Sequence, residues 1–324
     1  MVSGFGFLAS GKHAPKPETQ NPKHPPMLSI LIPIFNFDTR QLVAELVAQC
    51  RACGIVFEVL CFDDGSEEKF RRLHRMSLPQ ANVIYKELPQ NIGRAAIRNC
   101  LGKSASQPWL LFMDCDSKVV RPDFIKKYLA HFAPGTLVYG GGCYAPTPPA
   151  GPALFFHWKY GTLREQMPAA HRRDNPYHSF KTNNFLVPKD VFLATGFDES
   201  LRQYGHEDTL FGLELARRQV PILHIDNPLE HLGLEPVDVF LEKTRQALDN
   251  LHLLIKRGAP IETSLLRAWR FLKKNRLLKI FIVAYRLMQP IILWQLKSPN
   301  PRLLAFDIYK LGYFASAEKR RPPR

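Results

Sequence analysis

The sequence predicts an α/β protein built on an open, Rossmann-like, mostly parallel central sheet flanked by helices, with a C-terminal helical extension. Between residues 28 and 117, four short apolar runs alternate with segments of helical period, the pattern of parallel strands joined by crossover helices. Three of the runs end in polar clusters, Asn36 with Asp38, Asp63 with Asp64, and Asp114 with Asp116. Ligands of such sheets bind beyond the carboxyl ends of the strands. At 324 residues, 45% apolar and 23% charged, the chain can bury a sizeable core and has an ordinary globular composition.

Leu28–Phe35 is the first, central strand, with Pro33 marking where its ladder ends. Asn36, Phe37 and Asp38 turn the chain into a helix over Thr39–Ala52, with Asp38 as its N-cap. Phe57–Phe62 is the second strand, and Ser66 after it is placed to cap a helix over Glu67–Met76. Asn82–Leu88 is the third. Gly93 then opens a small-residue helix that carries Arg94 and Arg98 one turn apart. A helix N-terminus with guanidinium groups suits a diphosphate. In the fourth strand, W-L-L-F-M-D-C-D-S at 109–117, Asp114 and Asp116 share a face. Two carboxylates so placed repel unless a cation is at hand, and a hard divalent ion bridging phosphate oxygens is a common solution.

Beyond the fourth strand come a helix over Pro122–Phe132 and a strand over Leu137–Tyr144, whose Gly140-Gly141-Gly142 implies a close approach by other backbone or a ligand. An aromatic helix over Ala153–Gln166 follows, and residues 168–180, without periodicity, read as a mobile loop near the site. Glu207 and Asp208 stand in the first turn of a helix whose Leu210, Phe211, Leu213 and Leu215 face inward. Pro221–Asp226 is a further strand, with His231 just after it.

The ordered set I-L-I-P-I-F-N, D-D-G-S at 63–66, N-I-G-R-A-A-I-R-N at 91–99, D-C-D at 114–116, T-N-N-F-L-V-P-K at 182–189, G-F-D-E at 196–199 and H-E-D at 206–208 resembles glycosyltransferase family 2, inverting enzymes of the GT-A fold. The resemblance covers residues 27–235. It implies a nucleotide-sugar donor held by Asp63 or Asp64 and the backbone near Pro33, Phe35 and Asn36, with Asp114 near the ribose. It also implies a divalent cation, Mn²⁺ or Mg²⁺, on Asp116 completed by His231, and Asp208 of the Glu207-Asp208 pair as catalytic base. Arg94 and Arg98 join the donor side; Lys181, Thr182, Asn183 and Asn184 are the acceptor-side candidates. The acceptor is expected to be a glycan or a lipid-linked molecule, and residues 145–181 match nothing specific. Two rivals remain: a sugar nucleotidyltransferase, which would carry a Gly-rich loop where this chain has Pro33-Ile34-Phe35-Asn36, and a non-catalytic membrane-associated scaffold.

The net charge of +15 is uneven. Residues 1–240 carry 26 Lys and Arg against 24 Asp and Glu, whereas residues 241–324 carry 18 against 5. The basicity thus belongs to residues 236–324, predicted as a mostly helical extension. There, residues 260–296 interleave Trp, Phe and Leu with Lys and Arg, the composition of a helix lying on an anionic membrane surface. Lys279, Arg286 and Pro290 make the stretch a poor membrane span, and no nucleic-acid recognition motif accompanies it. Residues 1–26 lack the apolar core of a secretory signal and read as a flexible leader. Six cysteines without regular spacing, including Cys50 and Cys53 on one helix, read as reduced core residues. Together these features predict a cytoplasmic protein whose basic region either lies peripherally on the inner face of a membrane or packs as a helical subdomain on the catalytic layer.

Overall fold

The computed structural model describes residues 27–78, 80–201 and 204–317; the expected leader lies outside them. Four strands, β1 (Met27–Ile34), β2 (Val56–Asp63), β3 (Val83–Glu87) and β4 (Trp109–Met113), alternate with α1 (Arg40–Ala52), α2 (Glu68–Ser77) and α3 (Arg94–Ser104). They are parallel neighbours in a seven-stranded sheet of order β3-β2-β1-β4-β8-β6-β9. Its other strands are β6 (Leu137–Tyr139), β8 (Asn184–Pro188) and β9 (Ile222–His224). β8 runs antiparallel to both β4 and β6.

The apolar runs of β1 and β4 are continuous because the centre of the sheet is buried on both faces. Leu28, Ile30, Ile32 and Ile34 of β1 pack with Leu42, Val43, Leu46, Val47 and Cys50 of α1. Leu31 and Phe112 point the other way, toward α3 and the aromatic group Phe180, Phe185, Phe192, Phe197 and Phe211. Within that group the Phe197 and Phe211 rings stack at 4.3 Å. Cys50 is buried in the first cluster and Cys53 packs against it, as small hydrophobes do.

Several local expectations are corrected. Thr39, not Asp38, occupies the N-cap of α1; Asp38 accepts instead from the Arg40 backbone and side chain. Ser66 does not cap α2: its hydroxyl accepts from the Asn36 N–H at 2.8 Å and ties the end of β1 to the turn after β2. The strand expected over Leu137–Tyr144 is two strands. At Gly141 (φ +92°) the chain leaves the main sheet, and β7 (Gly142–Cys143) joins a second sheet, β5-β10-β7, with β5 (Ser117–Val119) and β10 (Leu229–His231). The segment 168–180, expected as a mobile loop, carries a short helix, α6 (Ala169–Arg172). Arg172 is buried there and donates to four backbone carbonyls.

The remaining helices are α4 (Phe124–Leu129), α5 (Pro152–Tyr160), α7 (Lys189–Thr195), α8 (Glu207–Arg217), α9 (Val237–Lys256), α10 (Ser264–Lys274), α11 (Leu278–Leu296) and α12 (Leu303–Ala317). A π-helical turn over Gly161–Glu165 continues α5, so the expected single helix ends differently. α11 runs through Pro290, which leaves one carbonyl a turn earlier without its helical partner but does not break the helix. The last helices have their own apolar clusters, one around Tyr285, Phe306 and Tyr309 and one around Leu251, Leu266 and Phe314.

Candidate active site

The site opens where strand order reverses. β1 pairs with β2 through Ile34 opposite Asp63, but its pairing with β4 stops at Leu31 opposite Phe112. Pro33 has no N–H to extend that second ladder. A crevice therefore opens between the ends of β1 and β4, the switch point where open α/β sheets bind ligands.

On the β2 side, Asp63 is wholly buried and accepts from the Ser66 N–H at 2.7 Å and the Tyr85 hydroxyl at 3.2 Å. Asp64 accepts from the Ile92 and Gly93 N–H groups at 2.7 and 3.2 Å. Burial raises the Asp64 pKa, against these two hydrogen bonds. The two aspartates thus hold the D-D-G-S turn against the N-I-G-R turn, so tightly that a Cβ on Gly65 would lie 2.7 Å from the Asn91 nitrogen. Asn36 (φ +51°) accepts from the Glu67 N–H and completes this wall. Phe35 stands half exposed beside it.

At the end of β4, Asp114 pairs with the buried Arg98 and lies 3.6 Å from Arg94. Burial pushes its pKa up, but Arg98 and Arg94 outweigh burial and hold the carboxyl below its ordinary value. Arg98 also donates to the Arg94 carbonyl, so its guanidinium is committed inside the protein. Asp116, on the next turn of chain, is 3.6 Å from His231 Nδ1. Its pKa is raised, by burial first and by Asp114 after it, against the pull of His231 and Arg94. β10 presents His231 opposite Ser117 of β5, so a three-residue antiparallel pairing brings together side chains 115 positions apart. Gly233 leaves the space between them open: a Cβ there would lie 2.1 Å from Asp116 Oδ2 and 3.0 Å from His231 Cε1.

The N-terminus of α8 closes the other side. His206, in the left-handed conformation (φ +72°), turns the chain into the helix. Glu207 takes the Arg94 Nε at 2.8 Å, and Asp208 takes the Lys181 Nζ at 2.9 Å and the Thr209 N–H at 2.7 Å. Burial raises the Asp208 pKa, but Lys181, with help from His206, outweighs burial and lowers it. Arg94 therefore bridges Asp114 and Glu207, and its charge also reaches Asp116. The carboxylates expected on the donor side and the pair expected to handle the proton meet across one guanidinium.

Of the acceptor-side candidates, Lys181 is half exposed at Asp208, and Asn183 accepts from the Tyr139 hydroxyl. Thr182 is buried. Asn184 is wholly buried and braces the sheet instead, taking the Tyr128 hydroxyl and donating to the Gly141 and Asn227 carbonyls. Sequence reasoning passed over Tyr144, whose hydroxyl donates to Glu165 of the π-helical turn and whose ring lies 5.6 Å from that of His231. It also passed over Tyr204, stacked under Arg94 at 5.1 Å. A lone tyrosine, whether at the end of an expected strand as Tyr144 is or in a stretch without periodicity as Tyr204 is, carries no signal of what it will face.

Residues 29–192, just over half of the chain, match the model of the family described as Glycosyl transferase family 2. The chain belongs to this family. As a family 2 glycosyltransferase it has no match among curated proteins by sequence. Among solved structures, the mannosyltransferase PcManGT from Pyrobaculum calidifontis, in complex with GDP-Man and Mn²⁺, is 14% identical at a TM-score of 0.58, over 92% of this chain and 89% of that one. Glucosyl-3-phosphoglycerate synthase from Mycobacterium tuberculosis, in complex with Mn²⁺, UDP and glucosyl-3-phosphoglycerate, is 16% identical at 0.48, over 73% and 82%. S. aureus TarS is 16% identical at 0.45, over 73% of this chain; the chain spans 40% of the length of TarS. The likeness to PcManGT is one of fold, and the fold of this glycosyltransferase is GT-A.

Proposed function

We propose that this glycosyltransferase moves a sugar from a nucleotide-diphosphate donor to a hydroxyl of a glycan or lipid-linked acceptor, with inversion at the transferred carbon. The observation that carries this reading is Arg94, 2.8 Å from Glu207 and 3.6 Å from Asp114. It ties the end of β4 to the start of α8, so a donor on one side and a base on the other would share one cleft.

Asp116 and His231 fit a divalent cation. They offer one carboxylate and one imidazole, 3.6 Å apart in a space that a side chain on residue 233 would fill. Among the described residues no group of three or more His, Cys, Asp or Glu converges. Two protein ligands, with the rest supplied by water and phosphate oxygens, are how Mg²⁺-like ions are commonly held. When bound, such an ion offsets the charge that develops on the departing diphosphate.

The chain's own residues do the rest. Arg94, half exposed at the start of α3, is placed to meet the donor, while Arg98 fixes the orientation of Asp114. The wall held by Asp63, Asp64 and Asn36, with Phe35 beside it, suits the nucleotide. Asp208, kept ionised by Lys181, takes the proton of the acceptor hydroxyl as that oxygen bonds to the sugar carbon. The bond from that carbon to the diphosphate breaks on the opposite face, and the nucleoside diphosphate leaves with the bonding electrons. Glu207, committed to Arg94, positions the helix end that carries Asp208.

Asp208→Asn tests the assignment. It should leave donor affinity, measured by calorimetry, within a few-fold of wild type while transfer falls by about 10²–10⁴. Wild-type turnover in that variant would remove Asp208 from the base role.

A further inference from the structure

α11 is apolar on two opposite faces, and the protein covers only one of them. Tyr285, Ile292 and Leu296 turn inward onto Phe306, Tyr309, Val237 and Leu241. Tyr285 lies so close to α12 that a Cβ on Gly312 would be 2.1 Å from its ring. On the outer face, Ile280, Val283, Leu287, Ile291 and Trp294 recur at intervals of three and four residues, one continuous stripe about 21 Å long at 1.5 Å per residue. Leu287 is 76% exposed and Trp294 72%. Scattered exposed hydrophobes are ordinary, but an unbroken row of large ones marks a surface that something else covers.

The charges around the stripe indicate what covers it. From Thr263 to Phe306 the chain has nine Lys and Arg and no Asp or Glu. Lys273 and Lys274 end α10, and Arg276 and Lys279 lie at the corner where α11 begins. A second copy docking through this face by a two-fold axis would set cation against cation. An anionic bilayer surface instead offers negative headgroups to the rim and acyl chains to the stripe. No single described helix is long and apolar enough to cross a membrane, and α10 and α11 meet that test only as a pair bent by 119°.

We propose that the outer face of α11, with the basic corner that joins it to α10, is a docking surface for an anionic lipid bilayer, α11 lying in the plane of the interface. The proposal rests on this face alone and stands whether or not the catalytic assignments hold. It deepens them in one respect. α11 packs on α12, whose Phe306 meets Phe156 and Tyr160 of α5 in the same cluster, and the π-helical continuation of α5 carries Glu165, so docking would hold the enzyme at a surface where a lipid-linked acceptor resides.

The test is flotation of the purified full chain with vesicles of phosphatidylcholine alone and of phosphatidylcholine mixed with phosphatidylglycerol. The wild type is expected to float with the anionic vesicles and to bind neutral ones at least about tenfold more weakly. Combined Ile280→Glu, Leu287→Glu and Trp294→Glu should abolish flotation without changing the circular dichroism spectrum, because these side chains make no core contact. Lys274→Ala and Lys279→Ala should each weaken binding by about fivefold. The intrinsic tryptophan emission of the wild type, to which the exposed Trp294 contributes with three other tryptophans, should shift to the blue on adding anionic vesicles, a readout that needs no variant to fold. Wild type left in the soluble fraction with anionic vesicles overturns the proposal. So does a vesicle-free dimer in sedimentation that Leu287→Glu dissolves, since a second copy would then occupy the stripe.

Discussion

Asp208, the base proposed above, has a cation 2.9 Å away in Lys181, and that pair sets how its carboxylate responds to pH. Burial alone would raise the Asp208 pKa; Lys181 reverses the sign. A base acts only when ionised, so the acid limb of kcat/KM in the wild type should lie below the ordinary carboxylate range. Lys181→Met removes the opposing charge and leaves burial, and the acid limb should rise by about 1–3 pH units. A limb that does not move would mean that Lys181 does not set the ionisation of the catalytic group. The residue types of this candidate site were legible as two aspartates after the fourth strand and an acidic pair at a helix start, but the strand expected over 109–117 ends at Met113, so Asp114 and Asp116 lie in the turn beyond it instead of on one strand face. Their pairings were not legible. Arg94 reaches Asp114 across 20 positions and Glu207 across 113, and spacing along the chain carries no information about that bridge.

At the scale of elements, the correction at residues 137–180 is the instructive one. A run such as L-V-Y-G-G-G-C-Y reads as one strand because every residue in it suits extended backbone. In the structure the left-handed Gly141 diverts it from the seven-stranded sheet into the three-stranded sheet that carries His231. The guanidinium of Arg172 packs where a Cβ on Gly141 would fall, at 2.8 Å, and donates to the Tyr139, Gly140, Ile225 and Met167 carbonyls. A segment read as mobile from its lack of periodicity is therefore pinned by its one buried arginine. Arg172→Met should leave those carbonyls without a donor and cost at least about 2 kcal/mol, read as a lower urea midpoint. Stability equal to wild type would show that water replaces the arginine without penalty. The alternating β1-to-β4 segment was readable in advance because β1, β2 and β4 are largely covered on both faces and so write near-continuous apolar runs, whereas the edge strand β3 leaves Ile84 and Lys86 exposed.

For the whole molecule, packing decides the response to acid. His224 is wholly buried between the Arg172 guanidinium and the Pro176 carbonyl, and burial lowers its pKa from 6.5 to about 4. The unfolded chain takes up this proton near its ordinary pKa and the folded one only near pH 4. The stability tied to a neutral His224 is thus fully present above about pH 6.5 and lost as pH falls toward 4. The buried His74 is lowered by burial as well and adds to the same slope. His224→Asn should flatten the fall in urea-unfolding free energy between pH 7 and pH 5. An unchanged slope would place the acid sensitivity elsewhere.

By itself the sequence determined the class of sheet, the strand ends that bear the candidate site, the family, and the contrast in charge between residues 1–240 and the strongly basic residues 241–324. All of these are written in local order: periodicity, motif spacing and composition. Only the tertiary structure decided that Asp116 meets His231 through β5 and β10, that Arg94 joins the two halves of the cleft, and that Asn184 and Arg172 brace the sheet. It alone decided which face of α11 stays bare. Contacts between residues far apart in the chain depend on how strands cross and sheets switch, and local sequence patterns do not encode those crossings.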